Sequence, residues 1–305
     1  MLDYALLDAL AAVLREGSFE RAARALHLTP SAVSQRVRLL EERLGQVLVV
    51  RSNPTRATPA GRALARHVEQ VGLLEHELLA ELPALAQGVK GRVTLPVAVN
   101  ADSLASWFIA AAAEATADAP LLLDLSLDDQ EHTAEWLRSG EVVAAVTALA
   151  DPVPGCRSLP LGRLRYCATA SPAFMQRHFG GGVNADTLAE APSLTFNRRD
   201  RLQAQWIAQV LGHDLPTPTH WLPATQAFVD GCRAGLGWGM NIEPMVRPAL
   251  ARGELVELVP GQTLAVPLYW QHRRRALPVL EALSRAVLKA AAAVLEPLDA
   301  PAPRA

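Results

Sequence analysis

Between Thr29 and Arg38 the sequence lines up small hydroxyls, an amide and guanidinium groups: Thr29, Pro30, Ser31, Ala32, Ser34, Gln35, Arg36 and Arg38. Ser and Gln side chains hydrogen-bond base edges, Arg pairs with guanine or phosphate, and small residues let a helix end enter a major groove. Arg51 and Arg56 follow on either side of the turn Ser52-Asn53-Pro54-Thr55, where they suit backbone phosphates. The plain alternative is a helical bundle with a solvated polar face.

A second set lies where strands give way to helices. Asn100-Ala101-Asp102-Ser103 precedes Trp107, and Asp128-Asp129, Thr147, Asn197, Asp200 and Thr225-Gln226 hold comparable positions further on. Ser103 and the free N–H groups of a helix start suit a carboxylate, while Asp102 suits an ammonium group. Gathered around one cleft, these carboxylates and neutral acceptors suit a zwitterion carrying an additional positive charge. Each also has a local use, Asp102 or Ser103 as a helix N-cap and Asp128-Asp129 as complements to a helix dipole.

Positioning the first set takes three helices. Leu6, Leu7, Leu10, Val13 and Leu14 recur at helical spacing and Gly17 ends the run. Ser18 caps a second helix with Ala22, Ala23 and Leu26 facing inward, and the turn His27-Leu28-Thr29 leads to a third. There Thr29 is the N-cap and Pro30 takes the first helical position, where its missing N–H costs nothing. The third helix runs to about Leu44 with Val33, Val37, Leu40 and Leu44 as its buried stripe. Two short helices around a tight turn predict a helix-turn-helix. Gln46 to Arg51 alternates as a strand, so a small wing follows. Thr58-Pro59 opens a long helix to about Leu85, with Leu64, Val68, Val71, Leu74 or Glu75, Leu78 and Leu82 in a three-four stripe. That stripe fits either a dimer seam or packing on its own domain.

From Arg92 strands and helices alternate, which predicts a parallel sheet with crossover helices. The rhythm places strands at 93–99, 121–127 and 142–147, then a second set at 165–170, 193–196, 219–222 and 236–240, with strand 266–271 and helix 277–294 returning to the first. The expected organisation is a head at 1–58, a connecting helix and hinge at 59–90, and an α/β body at 91–296. Within the body one lobe takes about 91–164 plus 266–296 and the other about 165–265, leaving a flexible tail at 297–305.

The 305 residues exceed what one core usually supports, and 50% hydrophobic with 20% charged residues argues against general disorder. Net charge is −2, but residues 1–66 carry ten Lys/Arg against six acids and the remainder carries 19 against 25. A basic head on an acidic body hints at nucleic acid at one end. No apolar run approaches a membrane span, and the first fifteen residues read as a helix rather than a signal peptide, so a soluble, cytoplasmic protein is expected. Three widely spaced cysteines argue against a disulfide framework or a cysteine zinc site. The histidines form no HExxH pair, no G-x-S-x-G or phosphate-loop motif occurs, and Gly180-Gly181-Gly182 reads as a turn, so neither an enzyme nor a metal or cofactor is expected.

The spacing of Ala22-Ala23, Leu26, Thr29-Pro30-Ser31-Ala32-Val33-Ser34-Gln35, Glu41, Leu44-Gly45, Leu48 and Arg51 resembles the DNA-binding head of LysR-type transcriptional regulators. The resemblance implies a winged helix-turn-helix bound to an operator in double-stranded DNA. It also implies dimerisation through the long helix, a tetramer built from body contacts, contact with RNA polymerase, and two Rossmann-like subdomains like those of periplasmic binding proteins. Along the body, "VAVNADSLASWF", "RSGEVVAAVT", "VPGCRSLPLG", "ATQAFVDGCRAGLGWGM" and "VPLYWQ" resemble the LysR-type subfamily that senses basic amino acids and controls their export. The implied effector is L-lysine or L-arginine, with a different small molecule, or a replication-inhibiting chromosome binder, as alternatives. The resemblance implies Glu where this chain has Gln226, a change that would remove one ion pair, worth about 1–3 kcal/mol if desolvated.

Overall fold

The structure, a computed structural model, describes residues 2–81, 92–117, 121–128, 133–274 and 278–298. The chain forms two compact units, Met1–Val93 and Thr94–Ala305.

In the first unit, α1 (Tyr4–Glu16), α2 (Phe19–Ala25) and α3 (Pro30–Leu44) pack around Leu7, Leu10, Val13, Ala22, Val33, Val37 and Leu48. Gly17 and Gly45 end α1 and α3 in left-handed conformations that glycine adopts without a Cβ clash. Leu44, expected in the buried stripe, is exposed, because the last turn of α3 runs past the core. The wing is shorter than the alternation suggested: β1 (Val49–Val50) pairs antiparallel with β2 (Arg56–Ala57). Glu41 fixes the wing to α3 by accepting from the Leu48 N–H at 2.8 Å. The long helix α4 (Pro59–Glu81) splits its stripe between two uses. Leu64 and Val68 pack on the head, whereas Leu74 and Leu78 stand exposed and Leu82 lies outside the described residues.

The second unit begins with β3 (Val93–Asn100), which leads into α5 (Ala101–Ser103), a π-helical turn (Leu104–Phe108) and α6 (Ile109–Thr116). Next come β4 (Leu121–Asp128), α7 (Thr133–Ser139), β5 (Ala144–Thr147) and the long β6 (Cys156–Ala170). The other lobe holds α8 (Pro172–His178), α9 (Ala185–Glu190), β7 (Ser193–Thr195), α10 (Leu202–Leu211) and β8 (Thr219–Trp221). It continues with α11 (Thr225–Arg233), β9 (Trp238–Ile242), α12 (Glu243–Ala251) and β10 (Val256–Glu257). The chain returns through β11 (Thr263–Arg273) to α13 (Pro278–Ala292).

The two open sheets expected from the rhythm are joined. One sheet runs β4-β3-β5-β11-β6-β9-β7-β8, with β10 beside β6. The β3–β5, β7–β8 and β7–β9 pairs are parallel as expected, but β11 runs antiparallel to β5 and β6, and β6 antiparallel to β9. The correction follows from strand length. β6 and β11 are long enough to serve both lobes, so they pair with each other along their length and cross between them. Trp206 packs on Trp238 in one lobe. In the other, the Trp270 indole donates to the Ser284 hydroxyl at 2.9 Å, docking α13.

Candidate functional site

In the head, Thr29 Oγ1 accepts from the Ala32 N–H at 3.2 Å, fixing the start of α3 with Pro30 in its first turn. Because Val33, Val37 and Leu40 bury one stripe, the opposite face presents Ser31, Gln35 and Arg38 to solvent, with Ala32, Ser34 and Arg36 half-buried beside them. Arg38 is ion-paired to Glu42 at 2.9 Å along the helix. Arg51 stacks over the Phe19 ring at 5.3 Å, and Arg56 is exposed on β2.

In the second unit a cavity of about 310 Å³ lies between the lobes. Of the sequence-predicted residues, Asn100, Asp102, Asp200 and Thr225 line it. Asp102 sits in α5 and is not an N-cap; that position belongs to Asn100. Its carboxylate instead accepts from Tyr166 Oη at 2.7 Å and from Thr225 Oγ1 at 2.8 Å. Burial pushes the Asp102 carboxyl above the usual range, the Tyr166 and Thr225 hydroxyls pull it back, and Asp200 adds repulsion. Burial, together with the neighbouring Asp102, pushes the Tyr166 phenol far up, so it stays a donor. Asp200 accepts from the Phe196 and Leu202 N–H groups, both at 3.0 Å, which holds the loop between β7 and α10 around it.

The remaining expected residues lie elsewhere. Ser103 and Trp107 are buried and do not line the cavity, Trp107 lying in the π-helical turn against Phe108. Thr147 is buried at the end of β5, accepting from the Leu149 N–H at 3.2 Å, and its neighbour Ala148 reaches the cavity. Asn197 closes its own turn by accepting from the Arg199 and Asp200 N–H groups. Gln226 is exposed and donates along α11 to Asp230 at 3.3 Å, because one step of helix rotation turns it away from the cavity that Thr225 faces. Asp128 ends β4; its side chain, and Asp129 altogether, lie outside the described residues.

Sequence reasoning missed Arg199, Arg201, Phe228, Asn241 and the Ala265–Pro267 stretch of β11, all on the cavity wall, and Tyr166 behind Asp102. The arginines flank Asp200, so the run Arg198-Arg199-Asp200-Arg201 after a strand was an available signal. Tyr166 and the β11 stretch gave none, since their role depends on strands crossing between lobes.

Residues 4–62 match the bacterial regulatory helix-turn-helix protein, lysR family, and residues 86–292 match the LysR substrate binding domain. The chain belongs to the LysR family. Among LysR-family relatives, it is 45% identical to the HTH-type transcriptional regulator ArgP of Pseudomonas fluorescens strain Pf0-1, over 98% of this chain and 100% of that protein. The crystal structure of ArgP from Mycobacterium tuberculosis aligns with a TM-score of 0.78 at 44% identity, over 98% of this chain and 100% of that one. Full-length LysG from Corynebacterium glutamicum, with bound effector Arg, aligns with a TM-score of 0.66 at 36% identity, over 97% of this chain and 100% of that one. The first LysR match holds the whole three-helix head and wing, and the second holds every residue lining the cavity.

Proposed function

We propose that this LysR-family regulator senses a basic amino acid, lysine or arginine, and controls transcription of a gene for its exporter. The carrying observation is the charge layout of the cavity. Asp102 and Asp200 are half-buried within it, whereas Arg199 and Arg201 are exposed where they line it. A partly desolvated carboxylate attracts a cation more strongly than a solvated guanidinium attracts an anion. The inner wall therefore selects an ammonium or guanidinium group, and the outer arginines receive the α-carboxylate. The Asp102 carboxylate, with about four lone-pair sites, can accept from a cation beside the Tyr166 and Thr225 hydroxyls it already meets. The effector bound to LysG fits this layout.

The head reads an operator through Ser31, Ser34, Gln35 and Arg36, with Arg51 and Arg56 on phosphates. The exposed Leu74 and Leu78, one helical turn apart on α4, support pairing of two chains, which brings two such helices to adjacent half-sites. Tetramer formation and contact with RNA polymerase belong to the same reading. Among the described residues no helix is long and apolar enough to cross a membrane, and no group of three or more His, Cys, Asp or Glu could hold a metal.

The test is transcription in vitro from the promoter of a basic amino-acid exporter gene, with lysine, arginine or neither. Effector-dependent output by the parent, lost on Asp102→Asn with operator binding retained, is expected. Output indifferent to both amino acids contradicts the reading.

A further inference from the structure

The long strands carry an irregularity where they pass between lobes. In the β6–β11 ladder Leu268 pairs with Gly162 but Tyr269 pairs with Pro160, so Leu161 is an extra residue and the strand bulges. Gly162 has φ +137°, and any Cβ there would run into the backbone of Glu296. The segment after α13 lies against this bulge. Arg163 and Glu296 exchange two backbone hydrogen bonds, at 2.7 and 3.1 Å.

Side chains extend the contact into the second lobe. The Glu296 carboxylate pairs with Arg165 at 2.7 Å, Arg165 pairs with Glu243 at 3.0 Å, and Glu243 pairs with Arg247 at 3.1 Å on α12. α13 itself packs on α6 in the first lobe. The C-terminal segment thus spans from one lobe to the other over the bulge.

The same strands wall the cavity. Arg163, Leu164 and Arg165 are register partners of Pro267, Val266 and Ala265, which line it. Successive strand side chains point to opposite faces, so Tyr166 bonds Asp102 while Arg165, one residue earlier, is held by Glu296.

We propose that the Glu296–Arg165 clasp locks the bulge in β6 as a hinge and thereby sets how tightly the cleft holds its effector. Its affinity arm rests on the basic amino-acid reading; its hinge arm does not. In the arrangement described, Thr225 of one lobe already bonds Asp102 of the other, so the clasp favours lobes that touch across the cleft. Loosening it populates arrangements in which they part, and apparent affinity falls by the fraction lost.

The test uses the full-length protein and Glu296→Gln, which keeps shape and removes charge. Hydrogen exchange without effector should quicken at least about threefold in peptides spanning 157–168 and 262–268. The dissociation constant for arginine should rise about two- to fivefold, the range open to a part-exposed ion pair. Unchanged exchange overturns the hinge. Faster exchange with unchanged arginine affinity overturns its link to the cleft. If the parent binds neither lysine nor arginine, the effector reading fails instead, and the exchange result alone decides the clasp.

Discussion

Thr225 Oγ1 donates to Asp102 Oδ1 at 2.8 Å, joining the first turn of α11 in one lobe to the start of α5 in the other. With Tyr166 Oη on the second oxygen, the carboxylate meets both the crossing strand β6 and the far lobe. Cleft closure and cation recognition therefore share one group. Replacing Thr225 with Val removes the donor and keeps the shape. Effector affinity should fall about 10- to 150-fold, the equivalent of about 1.5–3 kcal/mol for a hydrogen bond to a charged group. Operator binding without effector should not change. Calorimetry on parent and variant, beside an electrophoretic shift assay, measures both.

Asp102→Asn separates stability from function. A carboxyl whose folded-state pKa lies above its unfolded value contributes stability that is fully present below the unfolded value and is lost as pH rises through the folded one. Above the folded-state value the charged carboxylate is thus a cost to the folded state. Asparagine removes that cost and still meets the Tyr166 and Thr225 hydroxyls. Its melting temperature at pH 7 should equal or exceed that of the parent, while affinity for a basic amino acid drops more than about tenfold. A variant that melts well below the parent, or binds equally well, contradicts the assignment.

The same shift gives a pH profile. Effector binding needs the Asp102 carboxylate charged, so affinity should weaken as pH falls, starting at higher pH than an ordinary aspartate would cause. Titrations at several pH values between about 4.5 and 8 show this, with Asp102→Asn giving the flatter curve.

In the head, Gln35→Ala should lower affinity for the operator about tenfold, a loss within the range for one bidentate base contact, while leaving binding to random DNA largely intact. Equal losses on both DNAs would assign Gln35 to the backbone instead.

Gly61→Ala tests the join between wing and long helix. A Cβ at position 61 would run into the Leu48 carbonyl oxygen, which also accepts from the Thr58 N–H at 3.0 Å. Backbone is on the receiving side, so no rotamer relieves the clash, and a loss of roughly 2–4 kcal/mol is expected. Thermal unfolding of the variant measures it.

The head was legible because local signals agree there: the Thr29 cap, Pro30, the Val33–Val37–Leu40 stripe and glycines at two helix ends all lie within a few residues of what they control. The body's elements were legible from alternation, apart from α9, α12 and β10, which are short or interrupted by proline. The lobe-crossing strands were not, because apolar runs mark a strand without giving its partners. The same limit governs the site. Asn100, Asp102, Asp200 and Thr225 stand at element ends and could be picked out, whereas Gln226 differs from Thr225 only by a helix rotation that the sequence does not display. Tyr166 needed the fold before it could be paired with Asp102.

The most direct measurement is calorimetric titration of the full-length protein with lysine, arginine and a neutral amino acid of similar length. A cavity whose half-buried carboxylates select a cation predicts saturable binding of lysine or arginine, lost in Asp102→Asn, and no binding of the neutral compound. Binding of the neutral amino acid as tightly as the basic ones, or of none of the three by a folded protein, would contradict it.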